Sequence, residues 1–280
     1  MIRQGTLKVA STDAHRFELI SRLPAQPRAS LLWLPALGVS ARHYLPLADA
    51  LAARGIAVFL HEWRGNGSSS LRPSRTQDWG YRELLQYDLP ASAMAIARQL
   101  PDLPRILGGH SLGGQLACCH AGLAQSEWLA LWLVASGTPW WRSFPAPRRY
   151  LLPLAYRVLP WLAQRRGVMP GRALGFGGNE ARSLIRDWSS VGLSNRYAAS
   201  GMAVDLEQAL RRVDAPATAV VFDSDWLAPV SSTQALLEKM PAATHRLETL
   251  SRAQLHAPAD HFSWMKSPER VVNVLYDGND

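Results

Sequence analysis

Ser111 stands between Gly109 and Gly113 in the run Arg105-Ile-Leu-Gly-Gly-His-Ser-Leu-Gly-Gly114. A serine used as a nucleophile must project from a sharp strand-to-helix turn, and the residues two before and two after it must be small to let the backbone pass. Gly-x-Ser-x-Gly also forms ordinary tight turns, so partners have to carry the assignment. Acyl transfer by such a serine needs a carboxylate and then a histidine, both C-terminal to it. Asp225 and His261 follow in that order. Asp223 and, among the histidines, His256 and His245 compete for the same roles; His43, His61, His110 and His120 read as packing or surface groups, with His110 supporting the turn.

Each candidate needs an element to hold it. Ile106 and Leu107 close an apolar run that reads as a buried strand, and Leu112 to Ala121 is small and apolar enough for a helix beneath a sheet. The β-branched run Ala217 to Phe222 leads straight into Asp223-Ser-Asp-Trp-Leu-Ala-Pro229. His261 lies on a loop between a strand candidate, Thr244 to Leu250, and a last helix, Pro268 to Tyr276. Earlier, Ser30 to Leu34 and Ile56 to Leu60 read as buried strands. Thr6 to Ala10 and Phe17 to Ile20, joined by a polar turn, read as an antiparallel hairpin at the sheet edge. This alternation of strand and helix predicts an α/β fold with a mostly parallel sheet covered on both faces.

Four segments in this order resemble the α/β-hydrolase superfamily. Pro35-Ala-Leu-Gly38 follows the first buried strand, where that family usually carries His-Gly-x-Gly. Glu62-Trp-Arg-Gly-Asn-Gly-Ser68 is similar to the family's Asp-x-Arg-Gly-x-Gly-x-Ser turn, which is mainly structural there. The Ser111 turn is the third segment. The fourth is the pair of loops bearing Asp225, in Asp225-Trp-Leu-Ala-Pro229, and His261. Val134-Ala-Ser-Gly137 with Trp140-Trp141, and Gly171-Arg-Ala-Leu-Gly-Phe-Gly177, further resemble a bacterial group of predicted serine hydrolases of unsettled substrate.

The resemblance implies a Ser111-Asp225-His261 triad and an oxyanion hole formed by the backbone N–H groups of Leu37 and Leu112. Pro35-Ala36 departs from the family's His-Gly pair. Backbone donors survive such a change when the loop keeps its shape, whereas Ala36 in place of glycine removes conformational freedom. The resemblance also implies a core domain of residues 1–138 and 200–280. A helical cap, residues 139–199, is inserted between core strands six and seven. That stretch carries Trp140, Trp141, Phe144, Tyr150, Tyr156, Trp161, Phe176, Trp188 and Tyr197. An aromatic cap would bury an apolar acyl chain; the plainer expectation is a lid whose aromatics only pack on the core.

Composition bounds the rest. The chain has 280 residues, 48% of them hydrophobic, which suits one catalytic domain with an insertion. The net charge of +8 and pI near 10.0 come almost wholly from arginine, the lysines being Lys8, Lys239 and Lys266. Summed positive charge favours anionic substrates or phospholipid surfaces, and Arg148-Arg149 and Arg165-Arg166 are the best-placed groups. The basic residues are otherwise scattered, which argues against nucleic acid. Cys118 and Cys119 are adjacent in the helix after Ser111 and read as reduced packing thiols. No metal-ligand spacing appears, and we assign no metal and no cofactor. No apolar run reaches membrane-spanning length and the N-terminus does not read as a secretion signal, so the expected location is cytoplasmic. The expected function is hydrolysis of a small-molecule carboxylic ester or lipid-like substrate with an apolar acyl part. Thioester hydrolysis or acyl transfer uses the same residues, and an interaction protein on a weakened hydrolase scaffold is the third possibility.

Overall fold

The structure, a computed structural model, describes residues 1–124, 127–174 and 177–277. In chain order the strands are β1 (Ile2–Ala10), β2 (Arg16–Pro24), β3 (Ala29–Leu34), β4 (Ile56–Leu60), β5 (Arg105–His110), β6 (Ala130–Val134), β7 (Met169–Pro170), β8 (Asn179–Glu180), β9 (Ala217–Phe222) and β10 (His245–Leu250). One 8-stranded sheet has the order β1-β2-β4-β3-β5-β6-β9-β10, and β7 with β8 makes a separate short hairpin. β1 pairs antiparallel with β2, and β2 with β4; every pair from β4 to β10 is parallel. The mostly parallel sheet is therefore as expected.

The central strands are continuous apolar runs because both of their faces are covered. Along β3, Leu32 and Leu34 enter one core with Phe59, Leu107 and Leu133, while Leu31 and Trp33 enter the other with Val58, Ile106 and Trp132. Helices Leu89–Gln99 and Leu112–Leu123 close the first core, through Leu89, Ile96 and Leu116 among others. Helices Leu45–Ala52 and Glu269–Asp277 close the second with Leu47, Leu51, Val272 and Leu275. Each buried leucine or valine removes enough apolar surface to favour folding by about 1.5–3 kcal/mol. The edge hairpin is longer than its hydrophobic alternation suggests: Ile2 to Ala10 pairs with Pro24 to Arg16 along its whole length. Ladder hydrogen bonds extend a strand beyond the reach of side-chain patterning.

A buried ion cluster ties the hairpin turn to the body. Asp88 receives Arg64 Nε at 2.7 Å, Arg64 Nη2 at 2.8 Å and lies 3.0 Å from His15 Nδ1, whose other nitrogen meets Ser69 Oγ at 2.9 Å. This clamps the segment after β4, where Glu62 also receives the N–H of Ala41 at 3.1 Å. A Cβ at Gly67 would fall 1.9 Å from Glu62 Oε2, so the turn needs glycine there.

Between β6 and β9 the chain leaves the sheet pattern. Helices Leu152–Arg166 and Arg182–Ser194 lie here with β7 and β8. The two helices pack through Tyr156 and Trp188, whose rings meet edge to face with centroids 5.0 Å apart. Gly192 makes room, since a Cβ there would lie 2.5 Å from the Tyr156 ring. Phe176 and Gly175, singled out in the sequence, lie outside the described residues. Among the described residues no helix is long and apolar enough to cross a membrane, and no group of His, Cys, Asp and Glu could hold a metal ion.

Candidate active site

Ser111 sits at the junction of β5 and the helix Leu112–Leu123 with φ 55° and ψ −119°. A non-glycine residue with positive φ stores strain, and the surroundings must hold it. The Ser111 N–H donates to Val134 O at 3.1 Å, tying the turn to β6. The glycines flanking the turn are there for space. A Cβ on Gly109 would lie 2.4 Å from the carbonyl carbon of Gly113, and a Cβ on Gly113 would lie 2.1 Å from Leu34 O and 2.5 Å from Pro35 O. The second contact also shows how closely the helix approaches the loop after β3.

His261 Nδ1 lies 2.6 Å from Asp225 Oδ2, with both residues buried. The other Asp225 oxygen accepts the N–H groups of Leu227 at 2.8 Å and Ala228 at 3.2 Å. The carboxylate is thus fixed by its own loop, and its free face is directed to the imidazole. An imidazole with Nδ1–H donated to a carboxylate presents Nε2 as a base. Ser111 and His261 line one cavity. The competitors are elsewhere: Asp223, His245 and His256 are exposed.

The loop after β3 is held at three points. Pro35 O accepts Trp63 Nε1–H at 2.8 Å, the Ala36 N–H donates to Tyr44 Oη at 2.9 Å, and the Val39 N–H closes a turn on Ala36 O at 3.1 Å. Gly38 completes that turn at φ 71°, and a Cβ on it would fall 1.9 Å from Gly178 N. Leu37, at the crest of the turn, lines the cavity together with Leu112, the first residue of the helix after Ser111. The first N–H groups of a helix have no partner inside it, so they are available to an oxyanion.

A family model described as serine aminopeptidase, S33, matches residues 25–257. The chain is an α/β-hydrolase of that family. Three solved structures share its fold. A hydrolase from Pseudomonas aeruginosa PA01 is 17% identical, with a TM-score of 0.66, over 98% of this chain and 97% of the other. A thermophilic esterase from Thermogutta terrifontis is 16% identical, with a TM-score of 0.60, over 99% and 97%. The thioesterase domain from the curacin biosynthetic pathway is 17% identical, with a TM-score of 0.58, over 99% of each chain. No curated protein matches the sequence.

The hydrolase encloses a cavity of about 610 Å³ above Ser111. Its walls are nearly all apolar: Leu152, Leu159, Met169 and Phe144 come from the segment between β6 and β9, with Tyr156 and Trp188, and Trp226 and Phe262 from the loops of the acid and base. Some of the aromatics in this segment face the cavity, therefore, while Tyr197 is buried in the core and Tyr150 and Trp161 are exposed. Gln115, one turn into the helix after Ser111, also lines the cavity and accepts the Tyr197 hydroxyl at 3.2 Å.

One contributor had no sequence signal, and a second, His110, was expected only to support the turn. Tyr44 precedes a helix and looks like any core aromatic, yet its hydroxyl joins the Ala36 N–H to His110 Nδ1. His110 packs against His261 with the rings tilted and their centroids 4.7 Å apart, and burial holds its pKa well below the ordinary 6.5, so it is a neutral prop for the turn. Cys118 and Cys119 are free and buried; burial pushes the Cys118 thiol up to about 12, which leaves it unreactive.

Proposed function

We propose that this hydrolase cleaves carboxylic esters with an apolar acyl part through an acyl-enzyme on Ser111. The observation that carries the reading is the conjunction of a strained, cavity-lining serine with a cavity-lining histidine whose far nitrogen is held 2.6 Å from a buried carboxylate. His261 Nε2 takes the Ser111 hydroxyl proton as Oγ attacks the ester carbonyl. Asp225 keeps the imidazole in the required tautomer and stabilises the imidazolium. The N–H groups of Leu37 and Leu112 receive the oxyanion, a contribution on the order of 3 kcal/mol per donor. The imidazolium protonates the leaving alcohol, and the same nitrogen then activates a water that releases the acid.

Substrate chemistry follows from the walls. An apolar cavity rewards burial of an aliphatic or aromatic acyl group at about 0.8 kcal/mol per methylene. Residues 139–199 act as the cap over the core formed by residues 1–138 and 200–280, contributing Phe144, Tyr156 and Trp188 to the walls.

The test is labelling with a fluorophosphonate probe and mass mapping, beside turnover of p-nitrophenyl esters and acyl thioesters of increasing chain length. Modification at Ser111 that disappears in Ser111→Ala and His261→Ala, with kcat/KM rising with chain length on oxygen esters, supports the reading. Full turnover by a clean Ser111→Ala preparation rules it out, and a marked preference for thioesters redirects it to thioester cleavage.

A further inference from the structure

Helix Leu152–Arg166 and the turn before it are apolar on two sides. One side, with Leu152, Ala155, Tyr156 and Leu159, lines the cavity. On the other, Leu151, Leu154, Val158 and Trp161 follow at intervals of three or four residues and so share one face. That face is bare: Leu151, Leu154 and Trp161 are 69%, 64% and 58% exposed. A helix whose cavity-lining face is apolar needs no second apolar face for the core, and a continuous exposed apolar stripe marks a contact surface.

The charges around the stripe say what covers it. Between Glu127 and Glu180 every charged residue in the sequence is an arginine. Among the described residues, Arg148, Arg149, Arg157, Arg165 and Arg166 form no ion pair, so none is neutralised by the protein. Arg149 lies over the Tyr150 ring at 4.9 Å and Arg165 over the Trp161 ring at 5.5 Å, at opposite ends of the stripe. Amphipathic aromatics beside cations, around aliphatic side chains, match the depth profile of a bilayer interface: anionic headgroups outside, acyl chains beneath.

We propose that this face docks the protein on an anionic phospholipid surface, with Leu151, Leu154, Val158 and Trp161 entering the acyl boundary and the arginines engaging lipid phosphates. The docking is reversible and peripheral. It goes beyond the ester-hydrolase reading and does not depend on it, because it is measured by binding alone.

The experiment is co-sedimentation of the 280-residue chain with vesicles of equal parts phosphatidylglycerol and phosphatidylcholine, and with phosphatidylcholine alone. Light scattering reads the oligomeric state in parallel. The expected result is binding to the anionic vesicles that weakens strongly between about 0.1 M and about 0.5 M salt. Leu154→Asp and Trp161→Asp each lower the partition coefficient about tenfold or more, and Arg157→Ala with Arg165→Ala lowers it without abolishing it. All of these positions are exposed, so circular dichroism and fluorophosphonate labelling of the variants stay at wild-type levels. Binding to neither vesicle, equal binding to both, or unchanged binding by Leu154→Asp and Trp161→Asp overturns the proposal. So does a solution dimer that Trp161→Asp dissociates, which would assign the face to a second copy of the chain.

Discussion

The Tyr44 hydroxyl lies 2.8 Å from His110 Nδ1 and accepts the Ala36 N–H at 2.9 Å, so one side chain bridges the loop after β3 and the turn bearing Ser111. With one lone pair taken by Ala36, the phenolic proton goes to His110, which burial keeps neutral and able to accept it. The bridge offers a physical reason why the loop can carry Pro35-Ala36 in place of the expected His-Gly. The loop is held from beneath by a side chain instead of relying on glycine's own conformation.

Tyr44→Phe tests that bridge. Removing the oxygen leaves the Ala36 N–H buried without a partner, which costs about 1–3 kcal/mol of stability. If Leu37 is an oxyanion donor, kcat falls on the order of tenfold to a hundredfold while KM changes little, because a transition-state contact is displaced and ground-state binding is not. Unchanged kcat in a protein with a lowered melting temperature would make Tyr44 purely structural.

Asp225→Asn is expected to leave the fold intact, since the Leu227 and Ala228 N–H groups can still bond the side-chain oxygen. Its amide would face His261 with a donor and favour the wrong tautomer, lowering kcat by about ten-thousandfold. Steady-state kinetics on a short ester reads this out. A loss of less than about tenfold would move the orienting role to another carboxylate.

Gly113→Ala places a methyl 2.1 Å from Leu34 O and 2.5 Å from Pro35 O. Backbone must shift on both sides, so the variant should lose at least about 1–3 kcal/mol and with it the geometry of the Leu37 turn. Thermal unfolding and fluorophosphonate labelling should both report the damage. Wild-type stability would show that the helix approaches the loop less closely than the structure indicates.

Acid should destabilise the fold through its buried histidines. Burial holds His61 at about 3, His120 at about 4 and His110 well below the ordinary 6.5. These rings stay neutral in the folded protein but take up protons below about 6.5 once unfolded. The unfolded state then binds more protons, so stability is full above 6.5 and falls as pH drops toward 4, by about 1.4 kcal/mol per unit for each ring. Asp88 acts lower on the scale. Burial opposes its ionisation, but the hydrogen bonds and charges of Arg64 and His15 outweigh this and hold its pKa below the usual value, so its contribution is lost only as pH falls through that depressed value. Urea unfolding at about pH 7.5 and about pH 5.5 should show the loss, with a shallower slope in His120→Asn. A flat profile would mean the rings take up protons in the folded state as well.

The parallel sheet, the turn at Ser111 and the order of Ser111, Asp225 and His261 could all be read from the chain. Strands such as Ile56–Leu60 and Ala217–Phe222 are apolar throughout because they are covered on both faces, and the glycines two residues either side of Ser111 gain their meaning from the acid and histidine that follow in order. These signals are local: a period, a spacing, a small residue where backbone must pass. What the chain left open depends on contacts between segments far apart in sequence. Nothing near Tyr44 announces His110, 66 positions away, and nothing near Gly38 announces Gly178. Helix Leu152–Arg166 shows the difference most plainly, because its apolar residues occupy two faces. Only packing against Trp188 and Met169 decides that Tyr156 and Leu159 face the cavity while Leu154 and Trp161 remain outside. Periodicity can identify a face only when the opposite face is polar, and here the tertiary contacts had to choose.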